Sequence, residues 1–171
     1  MTIPTIPAAS PLVRAALMVR NLERSRDFYM TVVGLTQEYF VGDLSGTAAV
    51  EIIGVPRKSS IKSAILKAPG VDYGMIALYE IDASIPAVKP REGGLSIGET
   101  TLVFYTENIQ RAIDSAKVNG GSTATPLQIL NGHKEIIMRD PDGVAINLIE
   151  RSISEAYRQR QAGDPLTWPP K

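Results

Sequence analysis

The strongest constraint on this chain is that it repeats itself. "LVRAALMVRNLERSRDFYMTVVGL", from Leu12, and "TTLVFYTENIQRAIDSAKVNGG", from Thr100, each pass from a short apolar strand to an asparagine, Asn21 or Asn108. Each then runs through an amphipathic stretch to glycine: Gly34 in the first, Gly120 and Gly121 in the second. Asparagine accepts a hydrogen bond from a free amide in the first helical turn, and glycine tolerates the left-handed backbone that ends a helix. Ile109, Ala112, Ile113 and Ala116 fall at helical spacing, and Leu22, Ser25, Phe28, Tyr29 and Val32 trace a similar face. The two caps lie 87 residues apart (108 minus 21).

The halves also end alike. "GVDYGMIALYE" and "DPDGVAINLIE" both run from a turn into an apolar strand that closes on glutamate, Glu80 or Glu150, here with an offset of 70 (146 minus 76). The first half carries an extra segment, "GTAAVEIIGVPRKSS", read as a short helix ending at Gly54-Val55-Pro56. Each half therefore reads as strand, helix, then two or three strands. This predicts an α+β fold of two repeated modules, module one over about 12–82 and module two over about 99–151. Residues 83–98, with Pro86, Pro90, Gly93 and Gly94, read as the linker. A C-terminal helix and tail, 152–171, holds the single tryptophan, Trp168, in a Pro-rich setting suited to packing on the domain or on a partner subunit, or to remaining unstructured.

Composition narrows the functional classes. The 171 residues suffice for one domain with a sizeable core, read here as a single domain over 1–171. Lys plus Arg balances Asp plus Glu at 18 each, and no basic stripe is interleaved with aromatics, so neither nucleic acid nor an anionic membrane surface is an expected partner. The absence of cysteine removes disulfides, thiolate nucleophiles and Cys-based metal sites. With no signal-like N-terminus and no membrane-spanning apolar run, the expected location is the cytoplasm.

One residue breaks the pattern of the final strand. Val144 to Ile149 is apolar except for Asn147. A satisfied core amide explains it, and so does a strand that faces a pocket at that position.

"VRNLERSRDFYMTVVGL" and "MRDPDGVAINLIE" resemble the opening and closing signatures of the vicinal oxygen chelate superfamily. That superfamily includes glyoxalase I, methylmalonyl-CoA epimerase, extradiol dioxygenases, fosfomycin-resistance enzymes and bleomycin-resistance proteins. "VEIIGVPRKSSIKSAILKAPG" fits the middle of many members, and the likeness spans roughly residues 12–151. It implies that the halves are βαβββ modules related by a pseudo-twofold repeat and forming a curved mixed sheet around a cleft, that the protein is a homodimer, and that one residue on the first and last strand of each half faces the cleft. In metal-dependent relatives those four positions are His, Glu or Gln and chelate a divalent cation. Here they fall on Arg14, Ala77, Thr101 and Asn147. Arg has no lone pair to give, Ala has no donor, and Thr and Asn are weak neutral ligands, so no metal cofactor is expected. Asn147 then stands where relatives carry a carboxylate.

Strand alternation places Ala16 and Met18 beside Arg14, Val103 and Tyr105 beside Thr101, and Met75 and Tyr79 beside Ala77. The expected ligand-binding set is Arg14, Met18, Ala77, Tyr79, Thr101, Tyr105 and Asn147, with Arg14 and Tyr105 as the catalytic candidates. Alternation does not say whether these side chains line a pocket or fill an interior. His133, the only histidine, is at most one ligand, and its pairing with Glu135 as an acid–base couple is weaker than ordinary strand polarity. A guanidinium in an apolar cleft would need an anionic partner, either Glu99, Glu135 or a ligand carboxylate, phosphate or enolate-like oxygen pair. Three functions follow. The first is a metal-free cleft binding a small apolar or aromatic molecule, anionic if Arg14 anchors it. The second is an enzyme of lyase, isomerase or dioxygenase-like type, metal-independent or with other ligands. The third is an interaction subunit with a filled cleft.

Overall fold

The computed structural model describes residues 12–154. Trp168 and all but the first residues of the expected C-terminal helix and tail lie outside them. The chain divides into two compact units between Ala87 and Val88, within the stretch read as the linker.

In the first unit β1 (Arg14–Val19), α1 (Leu22–Phe28), β2 (Gln37–Asp43), α2 (Ala49–Ile53), β3 (Ile61–Lys67) and β4 (Met75–Ile81) build a sheet of order β1-β4-β3-β2. In the second, β5 (Thr101–Thr106), α3 (Ile109–Val118), β6 (Ser122–Thr123), β7 (Gln128–Leu130), β8 (His133–Arg139) and β9 (Ala145–Glu150) build the order β5-β9-β8-β6, with β7 also on β8. In both units the first and last strands pair in parallel and the remaining pairs are antiparallel. Both are thus βαβββ modules with mixed sheets. The offset of 87 carries β1 onto β5 residue for residue.

The helix starts show why the repeat is legible. Asn21 and Asn108 are extended, and their side chains accept from the amides of Arg24 at 2.8 Å and Arg111 at 2.9 Å. The parallel register sets Glu80 beside Val19 and Glu150 beside Thr106, just before each helix begins. Glu80 Oε2 accepts from the Leu22 amide at 2.7 Å, and Glu150 Oε2 from the Ile109 amide at 2.9 Å. Each closing glutamate thus places a negative charge on a helix N-terminus, where free amides and the helix dipole favour it. The other oxygen of each pairs with a lysine, Lys62 at 3.0 Å and Lys134 at 2.8 Å.

These contacts hold both carboxyls below the ordinary range, Glu80 chiefly through the Leu22 amide and Glu150 chiefly through Lys134. A depressed carboxyl contributes stability that is full above its unfolded pKa of about 4.3 and is lost as pH falls through the lower folded value. The melting temperature is therefore expected to hold from neutrality down to that range and then fall. The double variant Glu80→Gln, Glu150→Gln starts lower at neutral pH and shows a shallower acid limb in a melting series. An unchanged acid limb would show that neither carboxyl contributes.

Alternation assigns the two faces of each sheet. Ile76 and Leu78 share the face of Glu80 with α1, and Ile146 and Leu148 share the face of Glu150 with α3; all four are buried. From the helices come Leu22, Ser25, Phe28 and Tyr29 on one side, and Ile109, Ala112, Ile113 and Ala116 on the other, all buried. The opposite face of each sheet has no helix of the repeated pair against it, and the expected site residues lie there.

Candidate functional site

On the open face of the first sheet the register aligns Arg14 with Met75, Ala16 with Ala77 and Ile65, and Met18 with Tyr79 and Ser63. Met18, Ala16 and Tyr79 floor a cavity of about 620 Å³. One wall comes from α2 and the turn after it, through Ile53, Val55 and Pro56; another comes from Ser84, Ile85 and Pro86. The turn exists because Gly54 takes φ 81°, a left-handed conformation that ends α2 after five residues. The extra segment of the first half is therefore a wall of this cavity, and the first residues of the expected linker are part of the first unit.

Two of the expected positions in this unit look different in three dimensions. Ala77 is 0% exposed, packed in a cluster with Ile65 and Met75 that Val13 and Tyr79 cover, so it has no surface to offer a ligand. Arg14 is exposed and does not line the cavity. Its guanidinium therefore does not sit among the apolar residues that line this cavity. No hydrogen bond or ion pair joins it to another described residue. Beside Tyr79, the hydroxyl of Ser63 is buried and lacks a partner among the described residues.

On the open face of the second sheet, Thr101 aligns with Ala145 and Arg139, Val103 with Asn147 and Ile137, and Tyr105 with Ile149 and Glu135. Asn147 Nδ2 donates to Glu135 Oε2 at 3.3 Å. That bond fixes the amide orientation, because the reverse would set oxygen against carboxylate. Asn147 Oδ1 is left buried without a partner among the described residues. Tyr105 is half-buried, with the Arg151 guanidinium 5.5 Å from its ring centroid. Thr101 is also half-buried. His133 and Glu135 share no hydrogen bond or ion pair.

Glu99, a suggested partner for Arg14, belongs to Arg139 instead. The two form an ion pair with 7% and 12% of their side-chain surfaces exposed, arginine first, and Arg139 also donates to the carbonyls of Gly94 at 2.7 Å and Gly143 at 3.2 Å. The guanidinium and the Ser96 amide hold the Glu99 carboxyl below the ordinary range. Sequence reasoning missed this pair. Its visible signal was an arginine on the Glu135 and Ile137 face of "KEIIMRD", next to the turn where Asp140 Oδ1 accepts from the amides of Asp142 and Val144.

The metal implied by the resemblance does not fit these residues. Of the four aligned positions, Ala77 has no donor and is closed off, Arg14 has no lone pair, and Asn147 is engaged by Glu135. Among the described residues no three His, Asp or Glu side chains cluster as a cation site would require.

A helix-backed mixed sheet built twice in the same strand order, with β7 added in the second, defines a protein of two βαβββ modules. The chain belongs to the Glyoxalase/Bleomycin resistance protein/Dioxygenase superfamily, whose family model matches residues 12–148. Among solved structures it is similar to a glyoxalase family protein from Bacillus cereus, at 16% identity and a TM-score of 0.63, covering 84% of this chain and 97% of that one. It is also similar to a mutant of a genomically encoded fosfomycin resistance protein from Listeria monocytogenes, complexed with Mn(II) and a dihydroxypropylphosphonic acid. That likeness has 15% identity and a TM-score of 0.52, covering 87% of this chain and 98% of that one. A glyoxalase I mutant from Zea mays matches at 17% identity and a TM-score of 0.53, covering 82% of this chain and 45% of that one. At these identities the likeness is one of fold. No curated protein matches the chain significantly. No helix among the described residues is long and apolar enough to cross a membrane.

Proposed function

We propose that this chain is a metal-free small-molecule-binding member of the superfamily, holding a largely apolar or aromatic organic molecule in the cavity of its first unit. The observation that supports it is that cavity: about 620 Å³ against an open sheet face, inside the range of roughly 300–1,000 Å³ that small-molecule sites occupy. Its lining is aliphatic and aromatic with a few polar points, the usual make-up of such sites. The donor chemistry at the four aligned positions favours binding without a cation. By analogy with the family, the protein acts as a homodimer, and the balanced charge suits a cytoplasmic protein.

A second reading, a metal-independent lyase, isomerase or dioxygenase-like enzyme, draws on the buried acceptor of Asn147, which a substrate donor would satisfy. Metal analysis of protein purified without a tag tests both readings. Chelator treatment is expected to leave the melting temperature and any ligand binding unchanged. A fall in either, reversed by one divalent metal, would overturn the metal-free assignment.

A further inference from the structure

We infer that the cavity, walled on one side by the short helix present only in the first unit, selects uncharged ligands. The inference rests on the small-molecule reading above and narrows it. None of the residues lining the cavity is Lys, Arg, His, Asp or Glu. Arg14 lies on the same strand face as Ala16 and Met18 but is solvent-exposed and outside the lining. A carboxylate or phosphate entering this space would give up part of its hydration with no ion or dense set of donors to replace it, which is unfavourable. An uncharged ring or alkyl group loses nothing comparable and gains from burial.

The polar points that remain fit a neutral molecule. Tyr79 lines the cavity, and its hydroxyl makes no hydrogen bond with another described residue. A phenol donates one hydrogen bond and accepts others, so it suits a ketone, ester or hydroxyl group of a ligand. The wall opposite is Ile53, Val55 and Pro56. The second unit has the same sheet order but no helix between β6 and β8. The ligand class assigned is therefore an uncharged aromatic or alicyclic compound bearing one carbonyl or hydroxyl group.

A matched pair of probes tests this: methyl naphthyl ketone and naphthoate, similar in size and differing in charge at neutral pH. Titration of the full-length protein is expected to show the ketone binding at least about tenfold more tightly than the anion. Ala16→Phe, which fills the cavity floor, is expected to weaken ketone binding by at least about tenfold, and Arg14→Ala to leave it unchanged. Thermal melts check that the variants fold, and Ala49→Trp, from the helix wall, replaces Ala16→Phe if that variant does not. Tighter naphthoate binding that Arg14→Ala abolishes would overturn the charge selectivity while leaving the small-molecule reading intact. Ketone binding indifferent to both filling variants would place the ligand elsewhere and overturn the inference. If neither probe binds the wild-type protein, the inference and the small-molecule reading fall together.

Discussion

Arg139→Ala is expected to lower the folding free energy by about 3–5 kcal/mol, the scale on which a broken buried ion pair destabilises a protein. The variant leaves the Glu99 carboxylate nearly buried with no cation, and it removes the donors to the Gly94 and Gly143 carbonyls. Those bonds tie residues 94–99 to the turn that opens β9, and an added Cβ on Gly143 would meet Pro90 Cγ at 2.8 Å, so that approach is close as well. The double variant Arg139→Met, Glu99→Gln is expected to recover much of the loss, because it removes the stranded charge along with its partner. Chemical unfolding at neutral pH reads both. A single-variant loss below about 1 kcal/mol would show the pair behaving as a solvated surface bridge.

Asn147→Asp is expected to cost about 2–3 kcal/mol at neutral pH, the scale of a hydrogen bond to a charged group. The amide now donates to Glu135 at 3.3 Å; an aspartate would remove that donor and set two carboxylates against each other. Like charges so close raise the pKa of one member, so the penalty is absent while the site is protonated and appears as pH rises through the carboxylate range. The variant should therefore approach wild-type stability near about pH 4, within the acid limb, and fall behind it towards neutrality. A uniform deficit at all pH values would mean that packing, and not charge, explains the loss. The same argument accounts for the residue at this position: with Glu135 already beside it, a neutral donor is stabilising where a second carboxylate is not.

The fold was legible because its signals are local. Caps at Asn21 and Asn108, helical stripes, glycine stops and alternation along strands all act within a few residues, and together they located the opening strand and helix of each half, together with the extra helix before Gly54. Alternation also put Ala16, Met18 and Tyr79 on one face, which is where the cavity lies. The parts of the site that were missed depend on residues far apart along the chain. The Glu80 and Glu150 bonds to helix amides span 58 and 41 residues, and the Arg139–Glu99 pair spans 40. Alternation names a face but not its depth. On that one face it could not tell a closed position, Ala77, from a solvated one, Arg14, or say that residues 49–56 and 83–86 would wall off the space between them. By itself the sequence determined the order of the elements and the strand faces, since periodicity, capping and alternation are properties of single residues and their near neighbours. Only the tertiary structure decided which stretch of the open face became a cavity and which charges were buried, because exposure is set by what distant segments cover.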